Sequence, residues 1–79
     1  MIKEGSIVKA KAGRDKDMFF VVLRLEKDYA YIANGRRRRV EKPKKKKLIH
    51  LQATNSLAEG YQTNRQIKTV IDQFGGYNV

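Results

Sequence analysis

Nine of the chain's 18 lysines and arginines stand in twelve consecutive positions, namely Arg36, Arg37, Arg38, Arg39, Lys42, Lys44, Lys45, Lys46 and Lys47, with Glu41 the single acid among them. The chemistry open to such a cluster is anion binding. Guanidinium forks hold phosphate oxygens in bidentate fashion, and ammonium groups act as point charges. On an extended strand, side chains sharing a face lie two rises apart, about 6.6 Å, inside the screening length of ~8 Å at physiological salt. Their mutual repulsion is only partly screened, so the crowding does nothing for folding and is relieved by a polyanion. The remainder of the chain carries nine cations and seven acids. The excess charge is therefore local and points to a localised anionic partner.

Other side chains extend this reading. Lys11, Arg14 and Lys16 flank Gly13 and can continue the same basic face; the alternative is that Asp15 and Asp17 merely neutralise them. Tyr29 and Tyr31 alternate along one strand, where they either stack on bases or pack under a helix. His50, the only histidine, stands between Ile49 and Leu51 as a structural residue or a phosphate contact. With no cysteine and one histidine, neither a disulfide framework nor a Cys/His zinc site can be built. No nucleophile, acid pair or metal set can be assembled, and Gly75-Gly76 follows a helical pattern instead of opening one, which excludes a phosphate-cradling loop. The sequence thus predicts no enzyme, no cofactor and no metal.

The elements that must position these residues are short. GSIVKAKA (5–12) alternates and reads as a strand with Val8 inward; GRDKD (13–17) is a polar turn headed by glycine. MFFVVLRLE (18–26) is a central strand with Phe19, Val21, Leu23 and Leu25 on one face and Phe20, Val22 and Arg24 on the other. YAYIA (29–33) is a third strand that meets Asn34-Gly35, a strong two-residue hairpin signal. A fourth strand is expected over 36–41, from which Arg37 and Arg39 project opposite to Val40. Pro43 ends it, and Lys44, Lys45, Lys46 and Lys47 follow as a mobile, sequence-blind arm. LIHLQ (48–52) makes a fifth strand. Five short strands in one small domain predict a mainly β fold, a bent five-stranded barrel over residues 1–55. In the extension 56–79, Ile67, Val70, Ile71 and Phe74 fall at i, i+3, i+4 and i+7. They mark a helix over about 64–74, with Asn64 as its N-cap and its stripe docked over Phe20 and Val22.

These strand and turn residues resemble the KOW motif. VKAKAGRDKDMFFVV presents a strand, a Lys-x-Gly-x-Asp turn formed by Lys11, Gly13 and Asp15, and a hydrophobic strand. YIANGRRRRVEKPKKKKLIHLQ is similar to the continuation in the KOW-type large-subunit ribosomal proteins of archaea and eukaryotes and their small bacterial relatives. There a glycine turn precedes a basic strand and a Lys-x-x-His-Leu segment. The likeness covers residues 5–52, and Asp17 departs from it, standing where many KOW loops carry a second glycine. The resemblance implies an SH3-like barrel, RNA binding through the basic hairpin and the loop at 11–16, and association with rRNA and the ribosome. The alternatives are a KOW module that docks on a protein of a transcription or translation complex, and a nonspecific nucleic-acid-binding protein.

The charges at Lys3, Glu4, Lys9 and Lys11 leave no apolar run of signal-peptide length, and the run 18–23 is far short of the roughly 20 residues a membrane helix requires. A cytoplasmic monomer with no membrane partner is expected.

Overall fold

The structure is a computed structural model that describes residues 1–75. It is mainly β, with five strands followed by one helix: β1 (Ser6–Ala10), β2 (Phe19–Glu26), β3 (Tyr29–Ala33), β4 (Lys44–Lys47), β5 (Leu51–Leu57) and α1 (Asn64–Phe74). All ladders are antiparallel, in the order β4-β3-β2-β1-β5, which fits an SH3-like fold. The sheet is open, and β4 and β5 are its two edges. The ladder set therefore stops short of the closed barrel expected from the strand count.

The sheet has apolar residues on both faces. Val8 pairs with Phe20 across the β1–β2 ladder, and cross-strand partners share a face. Together with Ala10, Val22, Ala30, Ile32 and Leu51 they form the inner core. Ile7 pairs with Val21, and Val21 with Ala33; this second face carries α1, whose Ile67 and Ile71 are fully buried. The helix accordingly covers the Val21 face, not the Phe20 and Val22 face expected from the sequence. A strand that is apolar on both sides gives no local sign of which side is inner; its register against β1 decides. Burying two isoleucines contributes on the order of 3–6 kcal/mol, which anchors a helix of three turns that is too short to persist alone. At its end Phe74 meets Phe19 edge-on, with centroids 5.2 Å apart.

A bulge explains a second departure. Val22 pairs with Ile32 and Arg24 with Tyr31, so two residues of β2 oppose one of β3. The extra residue, Leu23, shifts the alternation and carries Arg24 onto the helix-side face, beyond the end that the helix covers.

The largest correction concerns residues 34–47. No strand forms over 36–41. Asn34 is fully buried, and its side-chain Oδ1 accepts from the amides of Arg36 (3.0 Å) and Arg38 (2.9 Å). An Asx-type wrap thus replaces the two-residue hairpin turn. The strand that returns along β3 is the lysine run, with Tyr29 opposite Lys47 and Tyr31 opposite Lys45. Lys44 to Lys47 are held as an ordered edge strand, not a mobile arm. The expected strand over 48–52 begins instead as a 3₁₀ turn, Leu48–His50, and becomes β5 only at Leu51. The helix N-cap is Thr63, which forms a reciprocal capping box with Gln66, so Asn64 sits one position inside the helix.

Candidate functional site

The loop at 11–17 and the basic segment 36–47 are far apart in the chain, and side-chain contacts from Arg37, Arg38 and Lys46 join them. Asp15 turns inward and is almost fully buried. Its Oδ2 accepts from Arg38 Nε at 3.0 Å and lies 2.9 Å from a terminal guanidinium nitrogen of the same residue. Its Oδ1 has Arg37 Nε at 4.0 Å. On the other side of the loop, Lys46 Nζ donates to the carbonyl of Ala12 at 2.9 Å. Asp15 therefore does not neutralise its neighbours Arg14 and Lys16; it fastens the arginine loop to the loop at 11–17. Asp17 lies near Lys9 instead, 3.8 Å away.

Asp17 also has φ +72°, in the left-handed region that glycine occupies freely. Gly13, at the head of the loop, has φ +84°.

The second anchor of the basic segment is the helix. Asn64 Oδ1 accepts from the amide of Val40 at 2.8 Å, and its Nδ2 donates to Glu41 Oε1. Gly35 packs so tightly here that an added Cβ would fall 2.4 Å from the carbonyl oxygen of Asn64. Arg39 Nε donates to Glu41 Oε2 at 3.2 Å. The bond from Asn64, followed by that from Arg39, holds the Glu41 carboxyl below the usual range.

Between this loop and β4 runs a groove of about 510 Å³, lined by Arg37, Arg38, Arg39, Lys42, Lys44 and Lys45 with Glu41 and Pro43. Six cations face one acid, and Arg37 and Arg39 each keep more than half of their side chain exposed. Lys42, Lys44 and Lys47 make no ion pair among the described residues, nor do Lys11, Arg14 and Lys16 across the joined loop. Arg36 lies at the far end, 4.0 Å from Asp72 of α1. Arg37 and Arg39 thus reach solvent from a pinned loop, while Arg38 is spent on holding that loop. His50 is half-buried in the 3₁₀ turn, and its carbonyl accepts from the amide of Lys11 at 2.8 Å. This ties the turn to the basic loop through the backbone.

Tyr29 and Tyr31 lie on the helix-side face of the sheet, but away from the helix. Lys45 Nζ sits 4.6 Å from the Tyr29 centroid and 5.9 Å from that of Tyr31, and the Arg24 guanidinium stacks 4.2 Å from the Tyr31 centroid. Tyr31 donates to Glu26 at 3.0 Å, and Lys45 lies 3.5 Å from the same carboxylate. These two contacts, the tyrosine bond first, lower the Glu26 pKa. Here the lysine run finds what turns it into a strand: aromatic faces, a carboxylate and the Ala12 carbonyl. Arg24, Glu26 and the latching role of Asp15 were missed from the sequence. The bulge that moves Arg24 has no sequence mark, and an aspartate between two cations reads as a local counter-ion.

Among the described residues no group of three or more His, Cys, Asp or Glu comes together, and no helix is long and apolar enough to cross a membrane. Neither the scan of family models nor the search of curated proteins finds a match to the chain.

Proposed function

We propose that the chain is an RNA-binding module of the KOW type, with no catalytic role, that associates with rRNA in the cytoplasm. The observation that carries this reading is the groove with six cations and one acid on its walls, to which the Asp15–Arg38 contact joins the loop that bears Lys11, Arg14 and Lys16. Arginines held on a fixed loop lose little freedom on meeting phosphate, which favours contacts that follow the shape of a backbone. A mobile tail would bind any polyanion alike; the Asp15 and Asn64 anchors favour a structured RNA. The likeness to the KOW motif, carried by Lys11, Gly13 and Asp15, agrees with this reading.

The test is salt-dependent binding of a labelled rRNA hairpin, read by fluorescence anisotropy. If five phosphates are neutralised, log Kd plotted against log salt has a slope of about 3.5–4.5. The triple variant Arg37→Ala, Arg39→Ala and Lys42→Ala lowers that slope by about 2–3 and weakens binding at low salt. Arg38 is left in place because its replacement would release the loop. A salt-independent Kd, or a triple variant with wild-type affinity, refutes the proposal.

A further inference from the structure

The phosphate groove leaves one group of residues unexplained, at the opposite end of β3. Two clefts meet on the ring of Tyr29. One, of about 310 Å³, contains Lys45 and Glu26; the other, of about 290 Å³, is lined by Asp28, Tyr29, Lys47, Leu48 and Ile49. Lys45 Nζ already stands 4.6 Å from the ring centroid in the first cleft, whereas the second has an apolar wall of Leu48 and Ile49 beside the tyrosine. Ile49 stands at its rim 73% exposed, a large apolar side chain in water beside an aromatic one. Asp28 lines both clefts, and its carboxylate makes no ion pair or hydrogen bond among the described residues of a chain with net charge +10. Two backbone features fix it there. Lys27 holds φ +52°, a left-handed conformation unusual for a side chain of its size, and the Asp28 carbonyl accepts from the amide of Leu48 at 2.8 Å.

We propose that this cleft receives one unpaired base of the bound RNA, with guanine preferred, an inference that rests on the RNA-binding reading above. An aromatic face opposite an aliphatic rim suits a flat base, and Lys47 at the edge meets its phosphate. An ionised carboxylate only accepts hydrogen bonds. Guanine alone presents two adjacent donors, N1–H and the N2 amino group, on its pairing edge. Adenine and cytosine offer one amino group each, and uracil sets its single N–H between two carbonyls that an anion repels. The groove grips backbone of any sequence; the Tyr29 cleft reads one base.

The experiment is an amide NMR titration of the full chain with GMP, AMP, CMP, UMP and, separately, inorganic phosphate, at constant ionic strength. Phosphate shifts the groove amides between 36 and 45. The nucleotides shift these and, in addition, those of 28–29 and 47–49. GMP half-saturates the second set at about one-third the concentration of AMP, since both purines stack alike and differ in the contact with Asp28. Ile49→Ser, at an exposed position, removes the second set of shifts and keeps the first. Asp28→Asn abolishes the difference between GMP and AMP. Nucleotides that shift only what phosphate shifts, or an Ile49→Ser variant that keeps the second set, overturn the cleft. AMP binding as well as GMP overturns the assignment of guanine. Silence at both sets, with no binding of the rRNA hairpin, overturns the RNA-binding reading itself.

Discussion

Asp15→Asn separates the structural from the electrostatic role of the basic loop. The Asp15 side chain is 2% exposed and that of Arg38 is 26% exposed, with both guanidinium contacts on the one oxygen Oδ2. Removing one partner of a fully buried ion pair costs about 3–5 kcal/mol. A quarter of Arg38 already reaches water, and the amide oxygen of asparagine can still accept one of the two contacts, so the expected loss is about 2 kcal/mol. For a domain of this size that lowers Tm by roughly 8–16 °C. Thermal unfolding followed by circular dichroism measures it. Asp17→Asn is the control, since Asp17 is exposed and asparagine tolerates its left-handed backbone; its Tm stays with the wild type. Combining Asp15→Asn with Arg38→Met closes a double-mutant cycle, with a coupling of about 1 kcal/mol or more expected. An Asp15→Asn variant within about 0.5 kcal/mol of the wild type, with effects that add to those of Arg38→Met, refutes the latch.

Gly35→Ala drives a Cβ into the Asn64 carbonyl at a position with φ +78°. A loss of more than about 2 kcal/mol in urea unfolding is expected; a neutral variant would mean that the loop does not rest on α1. Stability also falls in acid. Glu26 and Glu41 have folded pKa values below their ordinary value. The stability they lend is complete above the unfolded carboxylate pKa and is lost as pH drops through the folded one. Tm at pH 7 therefore exceeds Tm at pH 3, and the double variant Glu26→Gln, Glu41→Gln narrows the gap when Tm is recorded across that range.

The elements that follow a clear period were legible in the sequence: β1, β2 and β3 from alternation and β-branched content, and α1 from the spacing of Ile67, Val70, Ile71 and Phe74. The concentration of cations over 36–47 was equally plain. Its conformation was not. Asn34-Gly35 carries a strong local turn signal, yet the Asn34 side chain binds two amides ahead of it and opens a longer loop. Four consecutive lysines read locally as a repelling arm. They become a strand because Tyr29, Tyr31, Glu26 and the Ala12 carbonyl, all distant in sequence, lie along their path. The face of β2 that meets the helix depended on register with β1, and the side of Arg24 on a bulge. All of these are decided by pairing between segments, which local patterns do not encode.

The lysine composition of β4 has a further consequence, because β4 is an open edge of the sheet. An exposed edge offers free amides and carbonyls to any passing strand, and proteins commonly guard such edges with charge. Two copies meeting along β4 would align lysine against lysine, so the free protein resists growing into a continuous sheet. A bound polyanion cancels that repulsion. On the RNA-binding proposal, the charge that recruits the partner is also the guard against self-assembly, and protection is weakest when the anion is bound without covering the edge.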